Sequence, residues 1–285
     1  MERKNSWISD ILIPVGYTVL VYAIWEGIGF FVSFVVGKMT GNWTESLNNT
    51  YVVMLLQEIS VFLIMYVLFH KKVDFVRDGK SSVSLLSAFA ILIFPLIQIG
   101  DDLMAIFYGK RVFSLFSGKG IQFFVICCIA CLSIGLLEEF VWRGIILNGF
   151  LSAWKDKRKG IYFAVLISSL CFGLCHYMNL LAGQDFLSTT KQVISAVCMG
   201  VFLSALYLQT NHLVFPVLVH GLCDFSNFLM NEILGWDYSV WKYDDILQWI
   251  LAGGYLLTGM YFVYRYIKNQ QEKDGETFEG LYQSM

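Results

Sequence analysis

Glu138, Glu139, Arg143, His176, His220 and Asp224 stand inside otherwise apolar stretches of this chain. An ionisable group at mid-membrane costs roughly 2.5–3.5 kcal/mol on insertion scales, so each such residue is a functional hypothesis in its own right. Their types are those of acid–base chemistry. A carboxylate can take a proton from water, an imidazole can orient that water or donate to an oxyanion, and a guanidinium can hold a carboxylate in place. No serine or cysteine nucleophile is required. Two-nitrogen, two-oxygen sets also suit zinc, so Glu138, His176, His220 and Asp224 form a candidate metal-ligand set.

Spacing sharpens the reading. Glu139 and Arg143 are four apart, share a helix face and can pair, which lowers the cost of burying both. Glu138 then points about 100° away and stays free for chemistry. His220 and Asp224 are also four apart, and Phe172 lies one turn before His176. Pro216, four residues before His220, frees the carbonyl of His212 and bends the helix. Cys175 adjoins His176, but adjacent helical residues diverge by about 100°, so direct pairing is poor. A metal site made of Cys171, Cys175 and His176 is a further, weaker reading.

The elements that must hold these residues are membrane helices. Of 285 residues 57% are apolar and 15% charged, against roughly 25% charged in soluble domains. Apolar runs give eight spans, at 11–36, 51–69, 83–108, 121–150, 161–181, 192–208, 213–230 and 247–267. The fold class is an all-α membrane bundle with a buried polar cavity. It divides into three N-terminal spans (1–119), a four-span core (120–230), and a last span with its tail (231–285). Counting inward from the span ends puts the four candidate groups about 10 to 22 Å deep, close enough for tilted helices to bring them together.

The rest of the sequence sets bounds. A net charge of −2 gives no basic character to suggest nucleic acid. Cys127, Cys128, Cys131, Cys171, Cys175, Cys198 and Cys223 all lie in apolar stretches, which argues against a disulfide framework. Arg3 and Lys4 precede an apolar run too long for a signal peptide, so the first helix reads as retained. Lysine and arginine concentrate on the side of the N-terminus, and both termini are expected to be cytoplasmic. Trp236, Tyr238, Trp241 and Tyr243 read as an interfacial aromatic belt, and the tail after Lys268 as polar and disordered. His70 and His212 read as interfacial, as does the Asp101–Asp102 pair. Glu26 and Glu58 either line a polar path or pair with the core cluster, or merely sit against polar neighbours.

The motifs Glu138-Glu139-Phe-Val-Trp-Arg143, Phe172-Gly-Leu-Cys-His176 and His220-Gly-Leu-Cys-Asp224 resemble those of the CAAX-processing and bacteriocin-processing (CPBP, or Abi) intramembrane proteases. The family pattern is Glu-Glu-x-x-x-Arg, Phe-x-x-x-His and His-x-x-x-Asn on three membrane helices, and the resemblance covers roughly 120–230. It implies that Glu138 and His176 activate a water, that His220 and residue 224 steady an oxyanion, and that Glu139 and Arg143 form a positioning pair. It also implies a membrane-embedded peptide or lipid-modified protein as substrate, with either a zinc ion or a metal-free glutamate mechanism. Asp224 departs from the pattern: an Asn amide donates to an oxyanion, whereas an ionised Asp only accepts. Asp224 then either keeps a proton and donates, or favours metal binding more than an Asn would, or is a tolerated variant. The rival readings are a non-hydrolytic relative that serves immunity, binding or acyl transfer, and a proton-coupled transporter. The chain lacks the internal repeats typical of the latter.

Overall fold

In the computed structural model the described residues are 6–40, 50–73, 75–76, 83–108, 118–154, 159–181, 183–228 and 244–283. Among them the secondary structure is helical, apart from an isolated bridge between Val76 and His212. The helices are α1 (Ser6–Thr40), α2 (Thr50–Phe69), α3 (Leu85–Tyr108), α4 (Gly118–Glu139), α5 (Asn148–Trp154), α6 (Gly160–Cys175), α7 (Phe186–Thr210), α8 (Val214–Phe228) and α9 (Asp244–Gln283). Each expected span has a helix at its place among the described residues, and residues 229–230 of the seventh lie outside them. Six helical stretches of the described residues are long and apolar enough to cross a membrane, at Ile11–Met39, Leu85–Met104, Phe124–Trp154, Gly160–Leu180, Phe186–Thr210 and Ile246–Glu272. The chain is a multi-pass all-α membrane protein.

The fourth span is one unbroken helical run in three parts. Between α4 and α5, Phe140–Leu147 takes up π-helical winding, and all eight of these side chains are buried. Sequence spacing alone implies regular α-helix here. A π segment inserts a residue into the winding and rotates the later part of the helix about its axis, an arrangement frequent at functional sites.

The seventh span is shorter than expected, because α8 has 15 residues. That is about 22 Å of helix against a hydrocarbon core of roughly 30 Å. It need not meet lipid along its length, since Val219, Cys223, Phe225 and Ser226 are buried in the bundle. Pro216 therefore lies in the first turn of α8, where a missing N–H costs little, and does not kink a continuous span. Thr210 Oγ1 donates to the freed His212 carbonyl at 3.3 Å.

The sixth span starts earlier than expected because Asp185 caps α7. Its Oδ1 accepts from the backbone N–H groups of Leu187 and Ser188, each at 3.0 Å. The hydrogen bonds from Ser188 hold its carboxyl below the usual range. Asn211, in the left-handed region at φ 54°, ends the same helix and donates its N–H to the Tyr207 carbonyl at 2.9 Å.

Two further expectations are corrected. The tail after Lys268 continues α9 to Gln283, as an extension of a helix already packed on α7 and carrying a Lys268–Glu272 pair at 3.7 Å. Asp102 is no interface marker: it is buried and accepts a hydrogen bond from Ser226 of α8. The aromatic belt at 236–243 lies outside the described residues, as do the basic residues Arg3, Lys4, Arg77, Lys80, Lys155, Lys157 and Arg158.

Helices α4, α6, α7 and α8 form the interior, with α2 and α3 laid against them and α9 packed on α7. Glycine sets the closest approach. A Cβ on Gly135 of α4 would stand 2.9 Å from the backbone N of Gly221 and 2.9 Å from the Val217 carbonyl on α8. Small residues let membrane helices meet backbone to backbone. This contact falls one residue from His220 and three from Glu138.

Candidate active site

Glu139, the last residue of α4, has no exposed surface, and Arg143 in the π segment keeps 1%. Arg143 Nη1 donates to Glu139 Oε1 at 2.6 Å, and Nη2 donates to the Gly200 carbonyl of α7 at 3.3 Å. The same Glu139 oxygen lies 2.7 Å from His220 Nδ1. A carboxylate only accepts, so Nδ1 carries the proton of this bond. The other ring nitrogen, Nε2, is thereby aimed at Glu138 and Asp224. It lies 3.6 Å from Glu138 Oε2 and 3.7 Å from Asp224 Oδ2, beyond direct hydrogen-bonding distance but well within electrostatic reach.

Exposure separates the two adjacent glutamates. Glu138 keeps 18% of its side chain open and Asp224 keeps 21%, while Glu139 is closed. The closed carboxyl does the holding, and the two partly open ones stand at His220 Nε2. Depth counted from span ends puts His220 and Glu138 at different levels. The Gly135–Gly221 contact is what brings them side by side.

Phe172 is a hub that sequence spacing undervalues. Its buried ring meets His176 edge-on with centroids 5.2 Å apart, meets His220 likewise at 5.8 Å, and lies 4.7 Å from the Arg143 guanidinium carbon. Spacing sets it only beneath His176. Its ring spans both motif histidines and the arginine, an apolar divider with a cation on one face.

His176 stands at the junction of α6 with a 3-10 turn (His176–Leu180). Its Nδ1 lies 3.0 Å from the Phe172 carbonyl, and Cys175 Sγ is 3.7 Å from the same nitrogen. Cys175 also donates to the Phe172 carbonyl at 2.8 Å, so thiol and imidazole come closer than their divergence on a regular helix suggests. Among the described residues, His176 makes no hydrogen bond or ion pair with Glu138. The imidazole nearest to Glu138 is that of His220.

The zinc reading requires donors gathered round one point. Among the described residues no group of three or more His, Cys, Asp and Glu side chains is placed to hold a metal ion. His176 turns one nitrogen onto its own helix, and the Phe172 ring lies against both histidines. Neither donor set, that with Asp224 or that with Cys171 and Cys175, fits zinc as it stands. His70 and His212 are not brought to the site. His70 Nδ1 faces the Tyr66 carbonyl at 3.1 Å, and His212 Nδ1 accepts from Val214 N at 3.2 Å.

Glu58 of α2 lies within electrostatic range of Glu138, Asp224 and Glu26, and Tyr22 of α1 interacts with Glu26 and lies in range of Glu138 and Cys175. Two polar residues in apolar runs are the available signal, but without a fold nothing says which way they face.

Residues 120–226 match the model of a family described as "Type II CAAX prenyl endopeptidase Rce1-like". Over 102 residues the chain is 28% identical to a human protein named CAAX prenyl protease 2, a stretch that is 33% of this chain and 30% of that relative. No solved structure matches. The matched segment holds all three motifs, and over it the chain is similar to that family.

Proposed function

We propose that this protein is an intramembrane endopeptidase that cleaves membrane-associated peptides or the termini of lipid-modified proteins with a water activated by Glu138. The observation that carries the reading is the convergence of Glu138 and Asp224 on His220 Nε2, with Nδ1 of the same ring fixed by the buried Glu139–Arg143 pair. The match to a prenyl endopeptidase family supports hydrolysis of a bond close to a lipid anchor.

The chemistry is that of the groups themselves. Glu138 takes a proton from water as the water oxygen bonds to the scissile carbonyl carbon. His220, carrying a second proton on Nε2 among the surrounding carboxylates, donates to the oxyanion that forms. His176 orients the water with the nitrogen it does not spend on Phe172. When the tetrahedral adduct collapses, the C–N bond breaks and Glu138 passes its proton to the leaving amine. Asp224 serves as counter-charge to His220 and needs no proton on its own carboxyl.

The test compares peptide N-termini and C-termini in membranes from cells producing wild type and Glu138→Ala at matched levels. Cleavage products that vanish in the variant identify the protease and its substrates. Identical termini, with the variant folded, would overturn hydrolysis.

A further inference from the structure

Asp102 of α3 is a buried carboxyl that this mechanism does not use. It keeps 6% of its surface and accepts a hydrogen bond from Ser226 Oγ of α8, itself 3% exposed. Gln98, four residues earlier, shares its face of α3. Gln98 Oε1 accepts from the Tyr255 hydroxyl of α9 at 3.3 Å, and that hydroxyl lies 3.2 Å from Cys223 Sγ of α8. The hydroxyl proton goes to Gln98, so the thiol is the donor to Tyr255. Phe94, one turn before Gln98, packs its ring on that of Tyr255 with centroids 4.5 Å apart. One row of α3 thus ties α8 directly at Ser226 and, through Tyr255, at Cys223.

These ties fall on either side of Asp224 in the chain. Cys223 precedes it by one residue and Ser226 follows it by two, and on a helix both point about 100° or more away from it. The Asp224 carboxyl stands 3.7 Å from His220 Nε2, beyond hydrogen-bonding distance, so its place depends on the rotation of the helix that carries it. Side chains reach about 5–6 Å from a helix axis, and a turn of about 10° therefore carries a carboxyl by about 1 Å. A misplacement of that size costs up to about a hundredfold in rate. An apolar contact gives way gradually as a helix turns, whereas a buried carboxyl resists losing its donor because it would be left unsatisfied. Helices α3 and α9 lie outside the matched segment, so the rest of the chain adds this brace to the motif helices.

We infer that Asp102 is a positioning residue for the reaction: by accepting from Ser226 it fixes the rotation of α8 and so keeps Asp224 at His220 Nε2. The Gln98–Tyr255–Cys223 chain is a second tie on the same flank. Asp102 acts through α8 and not on a reacting group. The assignment rests on the hydrolytic reading.

The experiment measures kcat and KM of the purified chain in detergent for wild type, Asp102→Ala, Asp102→Asn, Ser226→Ala, the double variant Asp102→Ala with Ser226→Ala, and Glu138→Ala, each well below its own unfolding temperature. The substrate is a peptide spanning a bond that is cut in membranes of producing cells and left whole in membranes of cells without the protein. Asp102→Ala and Ser226→Ala are each expected to lower kcat at least about tenfold with KM little changed, the mark of an interaction that serves the transition state. The double variant is no worse than the slower single one, since both remove the same tie. Asp102→Asn, whose side-chain oxygen still accepts from Ser226, keeps kcat near that of wild type. A brace serving stability alone would lower the unfolding temperature and leave kcat of the folded enzyme unchanged. That result in Ser226→Ala, the smallest change to the tie, overturns the assignment, and so does an Asp102→Asn loss as large as that of Asp102→Ala. If Glu138→Ala cleaves as wild type does, the hydrolytic reading falls and the assignment with it; if Glu138→Ala is inactive and Ser226→Ala keeps its kcat, only the role of Asp102 falls.

Discussion

In an apolar 18-residue window of Ile11–Met39 only 12% of the residues are buried inside the protein, against 67% in such a window of Phe186–Thr210. The first helix presents Leu12, Ile13, Phe30 and Phe31 outward, while α7 buries Val201 through Leu208 without interruption. Apolar composition is alike in the two, so hydropathy does not distinguish them. What differs is the number of helices around each. Surrounded by α6, α8, α9 and the π segment, α7 offers backbone and small residues to the site, such as the Gly200 carbonyl that receives Arg143. An edge helix such as α1 can offer only the side chains on one face, and those are Tyr22 and Glu26. Lipid tolerates charge badly, so the ionisable core residues collect where protein replaces lipid on every side.

This contrast between interior and edge can be tested by substitution. At the chemical centre the largest effect is expected: Glu138→Gln should lower cleavage by about a thousandfold or more with little change in thermal stability, measured on a substrate found by terminus profiling. Next is Arg143→Ala, which leaves the buried Glu139 with His220 as its remaining partner. It should cost about 3–5 kcal/mol in detergent unfolding, and a loss below about 1 kcal/mol would mean that the pair is not closed to water. Gly135→Ala, which forces α4 from α8, should cost about 1–3 kcal/mol and reduce activity as well, because it separates Glu138 from His220. Asp224→Asn should keep activity within about tenfold, since an amide can donate where the family has one. Stoichiometric zinc in pure wild type that this variant loses would bring metal binding by Asp224 back. Smallest of all, Leu12→Ala on the outer face of α1 should shift stability by no more than about 0.5 kcal/mol.

Much of this is legible in the sequence for a physical reason. A charge in an apolar run is conspicuous, and helical spacing of four is enough to pair Glu139 with Arg143 and to set His220 beside Asp224. Less legible are residues whose role depends on a neighbour from elsewhere in the chain. Asp102 reads as the end of a span, and only the fold sets Ser226 against it. Phe172 reads as packing for one histidine, and its ring reaches two.

The sequence by itself determined that the chain crosses the membrane repeatedly as helices, because a polar backbone in lipid has no other way to satisfy itself in runs of this length. It also determined which side chains are candidates for the chemistry, through their types and local spacing. Only the tertiary structure decided that His220 is the imidazole facing Glu138 and that Glu139 holds it there. Those relations depend on how closely α4 meets α8 at Gly135 and Gly221 and on the π winding after Glu139. Each is set by packing between helices, on which local periodicity is silent.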